Sequence, residues 1–221
     1  HRERQHRENL LHYRANPIAL ENVDVVIHAA GYVSTPFSDI DSHRFEQINH
    51  WGTASLMDAI ESSKITKFIY LSSLSIYGVN SGWVDEETFP NPSTFYGMSK
   101  LRGENQVQRL ANTDIKYYIL RVANVYGYNP CLRIKSLINK FAFDAHFFKK
   151  NTVYGDGEQH RAFIFVEDFA KIVLSILQKE PKEGIYNVAA FNSSVLEIAE
   201  AISQVFTDTD VIFVNQHIKM K

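Results

Sequence analysis

Short apolar runs alternate with longer amphipathic segments along this chain. The runs at 23–27, 68–71 and 117–122 are rich in β-branched and aromatic residues without a regular polar alternation, which is typical of strands buried in a parallel sheet. Apolar positions recur with helical spacing over 45–60 and again over 101–110. Strands and helices that alternate in this way predict an α/β fold with a doubly wound parallel sheet.

The last third of the chain continues the alternation on a smaller scale. Ser194 and Glu197 have the spacing of a capping box, which predicts that a helix begins there and runs to Phe206. The other predicted elements are helices over 134–148 and 169–178 and strands over 185–188 and 211–214.

Composition and charge exclude several classes of partner. The 221 residues are 45% hydrophobic and 22% charged with a formal net charge of −2, so there is no electrostatic case for binding nucleic acid or an anionic membrane. No apolar run approaches the ~20 residues of a membrane-spanning helix. The single cysteine, Cys131, excludes an internal disulfide framework, and the nine histidines fall in no metal-ligand spacing. We therefore expect a cytoplasmic protein that binds no metal.

The segment 72–100 carries the residues best suited to chemistry. Tyr96 and Lys100 are four positions apart, so on a helix they lie on the same face. An ammonium beside a phenol favours the phenolate, and lowering the tyrosine pKa from ~10 to ~7 takes about 4 kcal/mol. Ser73, at the end of a predicted strand, is placed to hydrogen-bond the oxygen whose proton Tyr96 moves. The spacing of Tyr96 and Lys100 alone is weakly specific, because both residue types are common on solvated helices.

The flanks of this segment make the pattern specific. A strand ends in Ser72-Ser73, Tyr77-Gly78 follows, and an acidic, proline-containing loop leads to Tyr96-x-x-x-Lys100. This arrangement resembles the extended short-chain dehydrogenase/reductase superfamily, in its NAD-dependent nucleotide-sugar epimerase/dehydratase branch. The resemblance implies a Rossmann-like sheet and catalysis by Ser73, Tyr96 and Lys100. In that family the tyrosine acts as acid and base, the lysine lowers the pKa of the tyrosine and holds the cofactor ribose, and the serine aligns the substrate oxygen.

Other stretches resemble the same family and imply its cofactor contacts. The strand end His28-Ala29-Ala30-Gly31 corresponds to a segment that lies against the dinucleotide, and Asn49-x-x-Gly-Thr corresponds to a helix whose asparagine lies near the cofactor. The implied cofactor is NAD, and NADP stays open because the residues that distinguish them are not in this sequence. The predicted cofactor-binding residues are Ala29, Ala30, Gly31, Asn49, Ser72, Tyr96, Lys100 and Ala123.

The substrate implied by the resemblance is a nucleotide-diphosphate sugar. Asn124 belongs to a Leu-Arg-x-x-Asn-x-Tyr-Gly element that contacts the sugar-nucleotide, as does Ser73. Arg161 follows a Tyr-Gly-Asp-Gly turn and corresponds to an arginine that pairs with the diphosphate, which suits its planar, charged fork. Tyr154, in that turn, is predicted to lie near the base.

The domain organisation follows from the same resemblance. We predict a Rossmann-like NAD(P)-binding domain over 1–130 and a smaller α/β substrate-binding part over 131–221, with 160–180 returning to the first domain. None of the ten glycines forms the Gly-rich turn with which a dinucleotide fold opens, and the first two strand–helix units are missing from the sequence. The chain is therefore a fragment, or mobile segments were left out of its sequence, and we favour the second interpretation.

Among the reactions of the family we favour epimerisation. The 4,6-dehydratases place Asp-Glu directly after the catalytic serine or threonine, whereas this chain has Leu74 and Ser75. A 4-epimerase, which returns hydride to the other face of a keto intermediate, needs nothing beyond the residues present. Two alternatives stay open: an NAD(P)H-dependent reductase of a keto-sugar or related carbonyl substrate, and a catalytically silent cofactor-binding protein. Homodimerisation through the Tyr96 helix and the preceding helix is also implied by the family.

Overall fold

The computed structural model describes residues 20–33, 42–79, 82–128, 130 and 133–214. Cys131 and the first nineteen residues therefore lie outside the described part. The strands, in chain order, are β1 (Val25–His28), β2 (Lys67–Ser73), β3 (Lys116–Val122), β4 (Asn124–Tyr126), β5 (Lys150–Tyr154), β6 (His160–Phe165), β7 (Gly184–Val188), β8 (Phe191–Ser194) and β9 (Asp210–Val214). The α-helices are α1 (Ser42–Phe45), α2 (Gly52–Glu61), α3 (Phe95–Val107), α4 (Leu137–Phe148), α5 (Val166–Lys179) and α6 (Val195–Val205).

Three further helical segments complete the described structure. A π-helical segment (Glu46–Trp51) joins α1 to α2 without a break, since the residues at both junctions keep helical backbone angles. Short 3₁₀ turns follow β2 (Leu74–Tyr77) and α3 (Gln108–Asn112). Within the described residues, no helix has both the length and the apolar character needed to cross a bilayer.

The chain forms two compact units. The first contains the described residues up to Val122 together with Pro181–Asn187, and the second contains Ala123–Glu180 and the described residues from Val188 onward. The predicted domain division at residue 130, with 160–180 returning to the first domain, stays a prediction, because a compact unit need not coincide with a functional domain.

The first unit is built on a sheet in the order β1-β2-β3-β7. β1 pairs with β2 and β2 with β3, both in parallel, so that Val25, Lys67 and Lys116 lie in register at one end. Six of the seven residues of β2 are buried, as its continuous apolar run predicts for a strand covered on both faces. The predicted α/β fold with a parallel sheet is confirmed.

Apolar side chains from the helices and strands form the core of the first unit. Each such side chain contributes about 1.5–3 kcal/mol when fully buried, so the cluster fixes α2 and α3 against the sheet. Its buried members are Leu20, Leu56, Met57, Ile60, Ile65, Phe68, Tyr70, Val107, Leu110, Ile115 and Ile119.

The second unit contains two small sheets. β6 lies between β4, which is parallel to it, and β8, which is antiparallel, while β5 and β9 form a parallel pair. The predicted capping box is confirmed, because Ser194 Oγ accepts from the Glu197 backbone N–H at 3.1 Å and the Glu197 carboxylate accepts from the Ser194 N–H at 2.8 Å. The strands β4, β5, β6 and β8 were not predicted; β4 and β8 are short and are held by pairing with β6.

Two glycines allow α3 to approach its neighbours closely. A Cβ on Gly97 would lie 2.6 Å from the Ser75 carbonyl oxygen in the turn after β2. A Cβ on Gly103 would lie 2.2 Å from the Tyr70 hydroxyl oxygen and 2.9 Å from the Asn49 carbonyl oxygen. No side chain larger than hydrogen fits at either position without moving the helix.

We expect Gly103→Ala to destabilise the protein. Alanine normally stabilises a helix interior by about 1 kcal/mol relative to glycine. Here the added methyl group would overlap Tyr70, which is fully buried, and the backbone at Asn49. The expected result is a loss of about 1–3 kcal/mol in the free energy of unfolding, measured by urea denaturation.

Gly82→Ala is the matched control, since no atom lies within 4 Å of the Cβ it would add. Its expected stability is that of the wild type. If Gly103→Ala were as stable as the wild type, α3 would not approach β2 as closely as the structure places it.

Candidate active site

The end of β2 brings Ser73 next to the start of α3. Ser73 begins the 3₁₀ turn, where its Oγ accepts from the Ser75 N–H at 3.2 Å and contacts Ser75 Oγ at 3.1 Å. α3 begins at Phe95 because Thr94 Oγ1 accepts from the Gly97 N–H at 3.1 Å. Gly97 packs directly against the Ser75 carbonyl. Tyr96, which precedes Gly97 on the helix, therefore lies close to the turn that begins at Ser73.

Tyr96 is half-buried in the first turn of α3. Its ring packs edge-on against Phe45, with the ring centroids 6.2 Å apart. Its carbonyl oxygen accepts from Ser99 Oγ at 2.8 Å. These contacts fix the backbone and the ring of Tyr96 from two sides.

Asn49 connects the loop after β1 to α3. It is 1% exposed, and its Oδ1 accepts from the Tyr32 N–H at 2.7 Å. Its Nδ2 donates to the Tyr32 carbonyl at 2.8 Å and to Ser99 Oγ at 3.0 Å. Both the oxygen and the nitrogen of the side-chain amide are therefore hydrogen-bonded, as a buried polar group requires.

Lys100 is buried between α3 and the sheet. Its Nζ lies 4.2 Å from the centroid of the Tyr70 ring, a cation–π contact. Burial lowers the pKa of Lys100 to about 8, although the carboxylate of Glu104 raises it. A Cβ on Gly31 would lie 3.9 Å from this Nζ and 3.3 Å from Asn49 Oδ1. The structure thus brings together Gly31, Asn49 and Lys100, three of the residues that the resemblance assigns to the cofactor.

The residues around Lys100 fit a nucleotide cofactor. Ala29, Ala30 and Gly31 are small and exposed, and they follow directly on the carboxyl end of a parallel strand, where ligands bind in open α/β sheets. The Lys100 ammonium is a hydrogen-bond donor suited to ribose hydroxyls. In the part of the chain that the structure describes, no group of three or more His, Cys, Asp or Glu could hold a metal ion.

His28, the last residue of β1, is buried and neutral. It is 3% exposed, and its Nε2 lies 3.0 Å from Thr53 Oγ1. Because the Thr53 hydroxyl donates to the Asn49 carbonyl at 2.8 Å, the same oxygen is left to accept from His28, which puts the imidazole proton on Nε2. Burial, reinforced by the positive charge of Lys100, lowers the pKa of His28 to about 3.

Sequence reasoning missed a buried polar network around Ser72. The Ser72 hydroxyl donates to Glu104, and Arg121 donates to the same carboxylate from Nε at 3.2 Å and from Nη2 at 3.0 Å. Two signals could have found it: Arg121 interrupts an apolar strand, and Glu104 lies one helical turn after Lys100. The assignment of Ser72 to the cofactor stays a prediction.

The remaining predicted site residues lie in the second unit. The Ala123 N–H donates to the Val188 carbonyl at 2.9 Å, and Asn124 Nδ2 donates to the Ala162 carbonyl at 3.0 Å. Tyr154 ends β5 and Arg161 is an exposed residue of β6. The structure places Ser73, Tyr96 and Lys100 in the first unit and these four in the second. Their roles as cofactor and substrate contacts stay predictions.

Comparison with known proteins identifies a shared family. Residues 6–189 match the model of the NAD dependent epimerase/dehydratase family. The chain is 30% identical to the dTDP-D-glucose 4,6-dehydratase of Bos taurus over 193 residues, covering 86% of this chain and 54% of the bovine protein. It therefore spans about half the length of that relative.

Two solved structures are similar to this chain. One is a UDP-glucuronic acid 4-epimerase variant from Bacillus cereus in complex with NAD and UDP-4-deoxy-4-fluoro-glucuronic acid, with a TM-score of 0.87, 28% identity, and coverage of 95% of this chain and 68% of that one. The other is a UDP-N-acetylglucosamine 4-epimerase from Methanobrevibacter ruminantium in complex with UDP-N-acetylmuramic acid, with a TM-score of 0.84, 29% identity, and coverage of 96% and 70%.

The buried, neutral His28 predicts a specific loss of stability in mild acid. Its pKa is lowered from 6.5 to about 3 on folding, so between these values the unfolded chain binds a proton that the folded chain does not. The contribution of His28 is fully present above pH 6.5 and is lost as the pH falls, by about 2 kcal/mol at pH 5. We expect His28→Gln to remove about that much of the decrease in unfolding free energy between pH 7 and pH 5, measured by urea denaturation.

His160→Gln, at an exposed position of β6, serves as the control and is expected to keep the pH dependence of the wild type. An unchanged pH dependence in His28→Gln would mean that His28 is protonated in the folded protein.

Proposed function

The chain belongs to the NAD-dependent epimerase/dehydratase family, and from this premise we propose that it acts as an NAD-dependent epimerase of a nucleotide-diphosphate sugar. The observation that carries the proposal is the position of Lys100. This lysine is buried next to Gly31 and Asn49, and it lies one helical turn after Tyr96 on α3. A buried ammonium beside a tyrosine is the arrangement that an acid–base phenol requires.

NAD is the proposed cofactor. When bound, NAD would supply the acceptor and donor of the hydride that leaves the sugar carbon and returns to it. The exposed small residues Ala29, Ala30 and Gly31 would let the dinucleotide approach the end of β1, and Lys100 would donate to its ribose. Ser72, Asn49, Tyr96 and Ala123 complete the proposed contacts.

Tyr96 is proposed to move the proton of the reacting sugar hydroxyl. The Lys100 charge stabilises the phenolate, so Tyr96 can accept this proton near neutral pH and later return it. Ser73 is proposed to hydrogen-bond the same sugar oxygen, since it lies in the turn against which the start of α3 packs.

The turn after Ser73 favours epimerisation over dehydration. Leu74 and Ser75 occupy the positions at which the resemblance implies an Asp-Glu pair in 4,6-dehydratases. Neither residue has a carboxylate for an elimination step, and Ser75 Oγ accepts from Ser73 Oγ at 3.1 Å. We favour epimerisation although the relatives include dTDP-D-glucose 4,6-dehydratases as well as 4-epimerases.

The proposed substrate is a nucleotide-diphosphate sugar. The similar structures at 28% and 29% identity hold UDP-linked sugars. In this chain Arg161, with its exposed guanidinium, is proposed to pair with the diphosphate. Asn124 and Tyr154 are proposed to contact the sugar-nucleotide, the latter near the base.

We also propose a cytoplasmic homodimer that associates through α3 and the helix before it. Trp51, at the end of the π-helical segment, is 61% exposed, and Phe95, at the start of α3, is 45% exposed. Such aromatic side chains are enriched at interfaces. Sedimentation velocity is expected to show a dimer, and a monomer at every concentration tested would contradict this assignment.

We expect Tyr96→Phe to abolish epimerisation without unfolding the protein. Loss of the phenol removes proton transfer, which contributes about 10²–10⁴-fold to the rate. The protein is incubated with NAD and either UDP-glucuronate or UDP-galactose, and the 4-epimers are separated by chromatography. Tyr186→Phe is the matched control, because among the described residues its hydroxyl donates to the Lys182 carbonyl and to none of the proposed site residues. It is expected to keep wild-type activity.

The same assay separates the alternatives. Product without net NADH supports the epimerase. Stoichiometric consumption of NAD(P)H would indicate a reductase, and a 4-keto-6-deoxy product would indicate a dehydratase. No turnover across a panel of nucleotide sugars would indicate a cofactor-binding protein without catalysis.

A further inference from the structure

Glu104 is a buried carboxylate on the same helix as Tyr96 and Lys100, and the proposed mechanism does not use it. Its side chain is 1% exposed, one helical turn after Lys100 and in contact with Ser72. Its two oxygens accept from Ser72 and from the Nε and Nη2 of Arg121. The carboxylate is therefore buried within α3 and fixed there by hydrogen bonds from Ser72 and Arg121.

Arg121 holds this carboxylate in one place. Its third nitrogen, Nη1, donates to Tyr77 Oη at 2.7 Å and to the Glu86 carbonyl at 3.2 Å. The Tyr77 hydroxyl in turn lies 2.8 Å from Asn187 Oδ1. Besides Glu104, the guanidinium is therefore anchored to Tyr77 and to the Glu86 carbonyl, and Tyr77 connects it to β7. These contacts keep the pair from turning away into water.

We propose that Glu104 and Arg121 are positioning residues, whose buried ion pair orients Ser72 and keeps a fixed negative charge beside Lys100 that holds this lysine in its charged form. The inference rests on the proposed function, because the charge of Lys100 matters through Tyr96. Neither residue touches the substrate; both act through Lys100 and Ser72.

Several charged or titratable groups face Lys100, and they act in different directions. His28, on β1, is neutral, and the Tyr70 ring, on β2, contacts the ammonium through its face. Tyr96 lies on the same helix. Burial lowers the pKa of Lys100, and Glu104 is the group that raises it. When the Glu104 charge is removed, the lowering of the Lys100 pKa by burial is therefore largely unopposed.

The test follows the ionisation of Lys100 directly. Lysine labelled with ¹³C at Cε reports the charge of Nζ by NMR, and the Lys100 signal is assigned by its loss in Lys100→Met. In the wild type we expect a midpoint at about pH 8. In Glu104→Gln, which keeps the size of the side chain but only one of its two acceptor oxygens, the midpoint is expected to move to lower pH by about one unit or more. The alkaline limb of the kcat/KM profile is expected to move by the same amount.

Two control variants separate charge from structure. Glu61→Gln removes a carboxylate that pairs with Arg109 at 2.7 Å on the outer side of α2, and it is expected to leave the Lys100 midpoint unchanged. Glu104→Asp keeps the charge and alters only its distance, so its midpoint is expected to lie between those of the wild type and Glu104→Gln.

An unshifted Lys100 midpoint in folded Glu104→Gln overturns the inference. If this variant does not fold because Arg121 is left unpaired, Glu104→Gln/Arg121→Gln is measured in its place, and a smaller shift in the same direction is expected because a positive charge is removed as well. Failure of both variants to fold would assign the pair to folding alone, which also overturns the inference. The NMR titration needs no turnover, so a shifted midpoint in a protein without epimerase activity would refute the proposed function and leave the charge effect in place.

Discussion

The close packing of α3 against β2 and the π-helical segment is the constraint on which the whole site depends. Gly97 and Gly103 make it possible, because a Cβ at either position would overlap the Ser75 carbonyl or the Tyr70 hydroxyl. α3 carries Tyr96, Lys100 and Glu104, so the distance of this helix from the sheet sets the position of all three. A helix one methyl group further out would lose the contacts that fix them.

Burial then determines which groups carry charge. His28, Lys100, Glu104 and Arg121 are all less than 5% exposed, where an unpaired charge is costly. The protein resolves this in two ways. Glu104 and Arg121 pair with each other, whereas His28 is neutral and donates to Thr53. Lys100 lies between these cases, with a pKa of about 8, since burial and the nearby carboxylate act in opposite directions.

α3 is joined to the π-helical segment and to the sheet by polar side chains as well as by apolar packing. Asn49 ties the loop after β1 to Ser99, and Ser72 ties the end of β2 to Glu104. Hydrogen bonds of this kind have directions, so they fix the orientation of a helix more narrowly than apolar contacts do. The proposed roles of Ser73, Tyr96 and Lys100 require a fixed relative placement, which such directional links provide.

The sequence by itself determined the parallel sheet and the capping box at Ser194, because these follow from local periodicity and local hydrogen bonds that are visible along the chain. Only the tertiary structure decided the pairing of β4 and β8 with β6, the π-helical geometry around Asn49 and the Glu104–Arg121 pair. In the sequence, Arg121 is one residue of a predicted strand and Glu104 is one residue of a predicted helix. Their pairing becomes visible only when the packing of α3 on the sheet is known. Their burial and their pairing depend on how distant parts of the chain come together, and neither can be read from the chain alone.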